Sequence, residues 1–117
     1  MRFLSIYKCV ETAAPPSQEE MTRMGALIEE GMKSGHLLAT EGCLPSVLGA
    51  RIRLIDGELR VTDGPFTESK EVIGGFALLQ ASSKEEAIEF AKQFLQVVGG
   101  EGECELRQVS ETPACAG

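Results

Sequence analysis

From Arg2 to Val10 apolar and mixed residues alternate, with Leu4, Ile6 and Val10 on one side and Phe3, Ser5, Tyr7 and Cys9 on the other. A period of two marks a strand. Ala13-Ala14-Pro15-Pro16 breaks it, and Ser17 with Glu20 has the spacing at which a hydroxyl and a carboxylate satisfy free amides at a helix start. A helix is therefore predicted from near Gln18 to Gly35, with Met21, Met24, Leu27, Ile28 and Met32 as its apolar stripe and Glu19, Glu20, Glu29 and Glu30 left for water. After Gly35-His36 a short apolar run, Leu37 to Thr40, is interrupted by Glu41-Gly42 and Pro45, and Val47 to Ile55 reads as a stronger strand. Asp56-Gly57 suits a tight hairpin turn, so Glu58 to Thr62 returns antiparallel. Asp63-Gly64-Pro65-Phe66 is a turn by composition, followed by the polar segment Thr67 to Glu71 and by Gly74-Gly75 ahead of the run Phe76 to Ala81. Ser82 and Ser83 precede Glu85 and Glu86 at capping distance, which opens a second helix with Ala87, Ala91, Phe94, Leu95 and Val98 as its buried stripe. Gly99-Gly100 ends that helix, and Glu103 to Val109 alternates as a last strand.

The order is an α+β one: the ferredoxin-like β-α-β-β-α-β plan with an extra central hairpin strand. Both helices are expected on one face of the sheet. The opposite face is then expected to carry Phe3 and Tyr7 in the open, and an apolar face of several hundred Å² is seldom left in water. A second copy is the simplest cover, because a two-fold pair buries the same patch on both chains. A homodimer is the expected assembly.

Composition narrows the picture. A chain of 117 residues is the size of one domain, read as residues 1–110 with a short tail over 111–117. With 43% hydrophobic and 25% charged residues it is globular, and five Phe, one Tyr and no Trp leave an aliphatic core. A net charge of −7 without any basic run argues against direct binding of nucleic acid. No stretch reaches the roughly 18 to 20 apolar residues of a membrane helix, and the N-terminus turns polar too soon for a signal peptide, so a cytoplasmic protein without a membrane partner is expected. Cys9, Cys43, Cys104 and Cys115 form no Cys-x-x-Cys pair and read as reduced thiols. A zinc site from Cys9, Cys43, Cys104 and His36 has no support in the ligand spacing, and no phosphate loop, Ser/His/Asp set or metal motif is present. Neither a metal nor a cofactor is expected.

Among candidate chemical groups Asp63 stands first. A carboxylate beside a Gly-Pro turn can serve as an acid or base if a cleft desolvates it, or it can simply hydrogen-bond the backbone of its own turn. Glu68 and Lys70, next to Phe66, can orient a polar ligand at the same rim, or belong with Glu71 to a solvated loop. His36 is of the residue type that titrates near neutrality, and it also sits where a histidine can meet the free carbonyls of a helix end. Tyr7 and Glu41 are further candidates for the cleft. The ligand-binding set is thus Tyr7, His36, Glu41, Asp63, Phe66, Glu68 and Lys70, with Asp63 as the catalytic candidate.

The block from Leu59 through Asp63-Gly64-Pro65-Phe66-Thr67-Glu68-Ser69-Lys70-Glu71 to Gly74-Gly75-Phe76 resembles the centre of the YCII-related, or DGPF-domain, family. Further matches are the opening strand with Ile6-Tyr7, Glu41-Gly42 followed by Pro45, the Glu86-Ala87 helix, and Glu105, Arg107 and Val109 at the end, so the resemblance covers about nine tenths of the chain. It implies a dimeric α+β barrel, in which two ferredoxin-like sheets face each other around a cleft. Members lie beside, or are fused to, extracytoplasmic-function sigma factors, which implies a sigma-factor association. A dehydrochlorinase-like branch uses a His/Asp pair, but the one histidine here, His36, follows the first helix instead of the first strand, so that mechanism does not carry over. Three functions are therefore weighed: a small homodimeric protein binding an organic ligand near Asp63 in an accessory or regulatory role, a cofactor-free lyase or isomerase using Asp63, and an interaction module for a sigma factor.

Overall fold

The computed structural model describes residues 1–12 and 14–111. Ala13 of the strand-breaking stretch, Cys115 and the rest of the tail from 112 onward lie outside the described residues. The elements run β1 (Arg2–Cys9), α1 (Gln18–Ser34), β2 (Leu37–Gly42), β3 (Ala50–Ile55), β4 (Glu58–Asp63), β5 (Val72–Gln80), α2 (Lys84–Val98) and β6 (Gly102–Gln108). Four strands form an antiparallel sheet in the order β2-β5-β1-β6, the ferredoxin-like arrangement, and both helices cover one of its faces.

Both helices start where their hydroxyls predict. The Ser17 and Ser83 hydroxyls accept from the Glu20 and Glu86 amides, each at 3.1 Å, and the Glu86 carboxylate takes the Ser82 amide at 3.0 Å. Gly35 ends α1 at φ 85°, a left-handed position that glycine adopts without a Cβ clash. The core is small and lies toward one end of the sheet. Phe3, Leu79, Ala81 and Ala87 are its buried members, with Leu37, Ala77, Phe90 and Leu106 packed against them.

Four expectations need correction. Phe3 and Tyr7 do not face the open side: Phe3 is 2% exposed in the core and the Tyr7 ring meets Phe94 of α2 edge to face, 5.1 Å between centroids. Alternation along β1 is real, but it assigns residues to two faces without saying which face the helices take. Leu4 and Ile6 are therefore the residues on the uncovered side, beside their partners Leu78 and Phe76 on β5. Secondly, the Val47 to Ile55 run is not one strand, because Ser46–Leu48 forms a 3-10 turn after Pro45 and β3 starts at Ala50. Thirdly, the strand expected from Phe76 already begins at Val72, so Gly74 and Gly75 lie inside β5; Tyr7 pairs with Gly75 and Lys8 with Ile73, and Gly74 is the extra residue of a bulge, an ordinary steric use of glycine in a strand. Finally, the extra hairpin does not join the main sheet: β3 and β4 pair only with each other, around an Asp56-Gly57 turn with both residues at positive φ as the sequence predicts.

Candidate functional site

Two hollows divide the sequence-predicted site residues between them. The first, about 370 Å³, lies between the helices and the sheet. Met24, Leu27 and Ile28 of α1 and Phe90 and Phe94 of α2 form its roof, and Ser5, Tyr7, Ala77 and Cys104 form part of its floor. It exists because the helix layer is closed without being filled. Met21 and Met32 at the ends of the α1 stripe are turned largely to solvent, and Gly31, Gly42, Gly74 and Gly75 bring no side chains into the space.

Tyr7 is the best-defined polar group there. Its ring is held by two glycines on the neighbouring strands: a Cβ on Gly74 would stand 3.0 Å from Tyr7 Cδ2, and one on Gly102 would stand 2.8 Å from Cε1. Burial, then the charge and hydrogen bond of Cys9, push the Tyr7 phenol up to about 12, so it remains a proton donor at neutral pH. Burial also pushes the Cys104 thiol up, against a hydrogen bond from Ser5 that pulls it down. That thiol is held away from the reactive thiolate form. His36 stacks flat on Phe90 at 3.9 Å between ring centroids, and its Nδ1 meets the Ser34 hydroxyl. Its reach is thus to a hydroxyl and a ring, not to the free carbonyls of the helix end. Thr40 donates its hydroxyl to the Phe76 carbonyl at 2.9 Å, and Glu41 stands exposed at the cavity edge.

The second hollow is an open cleft of about 930 Å³ on the other side, between the sheet and the base of the hairpin. Lys8, Leu48, Arg51, Phe66, Lys70 and Ile73 are among its walls. Here the 63–66 turn has a clear structural role. Gly64 donates to the Gly49 carbonyl at 3.0 Å, and a Cβ on Gly64 would overlap the Ser46 carbonyl oxygen. The Phe66 amide donates to Ser46 Oγ at 3.2 Å, while the Ser46 amide and hydroxyl donate to the two oxygens of Glu11 at 2.7 and 2.6 Å. Those two bonds hold the Glu11 carboxyl below its ordinary value of 4.5. Arg51 lies 3.9 Å over the Phe66 ring and binds the Ser69 hydroxyl at 2.9 Å and the Glu68 carboxylate. The turn is thereby locked to the loop from Pro45 to Gly49.

Of the predicted set, Tyr7 and His36 share the helix–sheet cavity, Glu41 borders it from β2 with its side chain on the uncovered side opposite Phe76, and Phe66 and Lys70 share the cleft. Asp63 and Glu68 line neither. Asp63 is exposed at the end of β4, and its carboxylate has no hydrogen-bond or ion-pair partner among the described residues. Sequence reasoning missed Ser5, Cys104, Phe90 and Glu11. Cys104 and Ser5 were legible in principle, since both fall on the same side of alternating strands as Tyr7. Glu11 carried no signal, because its partner Ser46 is 35 residues away. Among the described residues no group of three or more His, Cys, Asp or Glu is placed to hold a metal ion, and no helix is long and apolar enough to cross a membrane.

Comparison with known proteins adds two findings. The family model described as the YCII-related domain matches residues 1–112. An uncharacterized protein of Rhizobium meliloti (strain 1021) is 31% identical over 90 residues, which span 77% of this chain and 73% of that protein.

Proposed function

The chain belongs to the YCII-related domain family, and from that premise we propose that it works as a homodimer binding a small, uncharged, largely apolar organic molecule between its helices and its sheet. The cavity carries this reading. At about 370 Å³ it has the size of a small-ligand site, with apolar and aromatic walls and a few polar groups on one side. No Lys or Arg lines it, so an anionic ligand would lose its hydration without gaining a lysine or arginine counter-ion. The Tyr7 phenol, kept protonated, offers a hydrogen bond to a carbonyl or hydroxyl of the guest.

Support for the homodimer comes from the other side of the sheet, where Leu4, Ile6, Phe76 and Leu78 form an apolar centre that neither α1 nor α2 covers. In this reading Asp63 is not the acid or base of the cavity, since it lies outside it. A protein-interaction module needs no cavity chemistry at all, so the cavity favours the small-molecule reading over that one.

A thermal-shift screen of uncharged organic compounds tests the proposal, with Ala77→Leu as the control because Ala77 lines the cavity and a larger side chain fills it. A guest at a hundredfold excess over its Kd stabilises the wild type by about 2.7 kcal/mol. That gain is expected to disappear in a folded Ala77→Leu protein. Equal stabilisation of both proteins by every binder would place the ligand elsewhere.

A further inference from the structure

The β3–β4 ribbon is unfinished on both of its faces. Ile52 lies opposite Val61 and Leu54 opposite Leu59, which puts all four on one side, where they are 66, 66, 67 and 73% exposed respectively. Together they leave an apolar patch on the order of 400 to 500 Å², as large as the largest patch on a typical monomer. On the other side Arg53 lies opposite Arg60, a like-charge pairing that destabilises a sheet unless an acid comes between them. Arg53 has no ion-pair partner among the described residues, and Arg60 has only Glu58, at 3.5 Å. A two-stranded hairpin alone is marginal in water. The ribbon nevertheless projects: the radius of gyration is 16.0 Å, against roughly 13 Å for a compact chain of this length.

The uncovered sheet face has the complementary chemistry. Its apolar centre is Leu4, Ile6, Phe76 and Leu78, and on the same side stand Glu41, opposite Phe76, and Glu103, opposite Lys8. Neither carboxylate has an ion pair among the described residues. The ribbon's Arg51, Arg53 and Arg60 balance its Asp56, Glu58 and Asp63, whereas the chain as a whole carries −7.

We propose that the β3–β4 ribbon is an exchange arm: in a two-fold pair of chains it lays Ile52, Leu54, Leu59 and Val61 across the partner's uncovered sheet face and leaves Arg53 and Arg60, on its other side, to water. This rests on the homodimer of the preceding reading and specifies how it is held. Two such contacts bury on the order of 2,000 Å², within the range of stable interfaces. Asp63 shares the apolar side of the arm with Leu59 and Val61, so the exchange brings its carboxylate to the seam between the copies.

Sedimentation of the full chain carrying Leu54→Asp and Leu59→Asp tests the arm. Association is expected to weaken at least about a hundredfold, as for central apolar anchors, while far-ultraviolet circular dichroism of the protomer is retained. A second measurement covers the case of misfolding: amide exchange over residues 50–63 of the wild type is expected to slow at concentrations where it dimerises. A wild-type dimer in which the double variant associates normally, or in which arm amides exchange alike in monomer and dimer, overturns the exchange arm and leaves the dimer standing. A wild type that stays monomeric at every concentration removes both.

Discussion

Along β1 the side chains of Phe3, Ser5 and Tyr7 lie under the helices, while those of Leu4, Ile6 and Lys8 face away from them. On the first side the protomer supplies its own cover but not enough side chain to fill the space. Phe3, Leu79 and Ala87 make a dry core near one end, and beyond it the layer opens into the cavity beside Tyr7. On the second side the described residues supply no helix, only an arm that stands off from the sheet with its own apolar face exposed. One alternating sequence thus yields two kinds of incomplete burial, a small enclosed one suited to a small molecule and a broad flat one suited to another chain.

The sharpest break between the sides is expected in protomer stability. Leu79→Ala, in the helix-covered core, should cost about 2 to 5 kcal/mol in denaturant unfolding of the monomer. Leu59→Ala, on the arm, should stay within about 0.5 kcal/mol under the same conditions. Next in size is Gly64→Ala: the added methyl meets the Ser46 carbonyl, and an overlap of that kind typically costs about 1 to 3 kcal/mol. Its structural effect should be confined to the arm base, read as faster amide exchange over Pro45 to Gly49 and not over α2.

Acid separates the sides by direction. Glu11, Glu68 and Glu105 all titrate below the ordinary 4.5: Glu11 through Ser46, Glu68 through its own backbone amide and then Arg51, and Glu105 through Lys8. A lowered carboxyl lends stability that is whole above its unfolded value and is lost as pH falls through the folded one. None of the three lines the helix–sheet cavity. Acidification below 4.5 should therefore loosen the arm base before the core, which exchange measurements at successive pH values would resolve. Alkali acts on the covered side instead. The phenol of Tyr7 is raised, so its contribution is complete below about 10 and disappears as pH rises toward 12. Tyr7 is the only tyrosine and there is no Trp, so phenolate absorbance reports it alone, with an expected midpoint near 12.

Much of this contrast was legible in the chain and some of it was not. Ser17, Ser83, Gly35 and Asp56-Gly57 act through neighbours a few residues away, and each did in the structure what its local chemistry predicts. Which side of β1 the helices take depends on long-range packing, so Phe3 and Tyr7 were placed on the wrong face. The hairpin was visible as a hairpin, yet the anchoring of its base runs through the Glu11, Ser46 and Phe66 contacts, which join three distant segments. The site set split for the same reason: Phe66 and Lys70, close in sequence to Asp63, line the cleft while Asp63 does not, and the cavity gathers Tyr7 and His36 from elements that only folding brings together.

The most direct test of the central claim, that the ligand site is the half-filled helix–sheet layer, is to map nuclear Overhauser contacts from a compound that stabilises the wild-type protein. The account predicts contacts to the Tyr7 ring, Ile28 and Phe94. Contacts to Phe66, Leu48 and Ile73 in the cleft, with none to Tyr7, would contradict it.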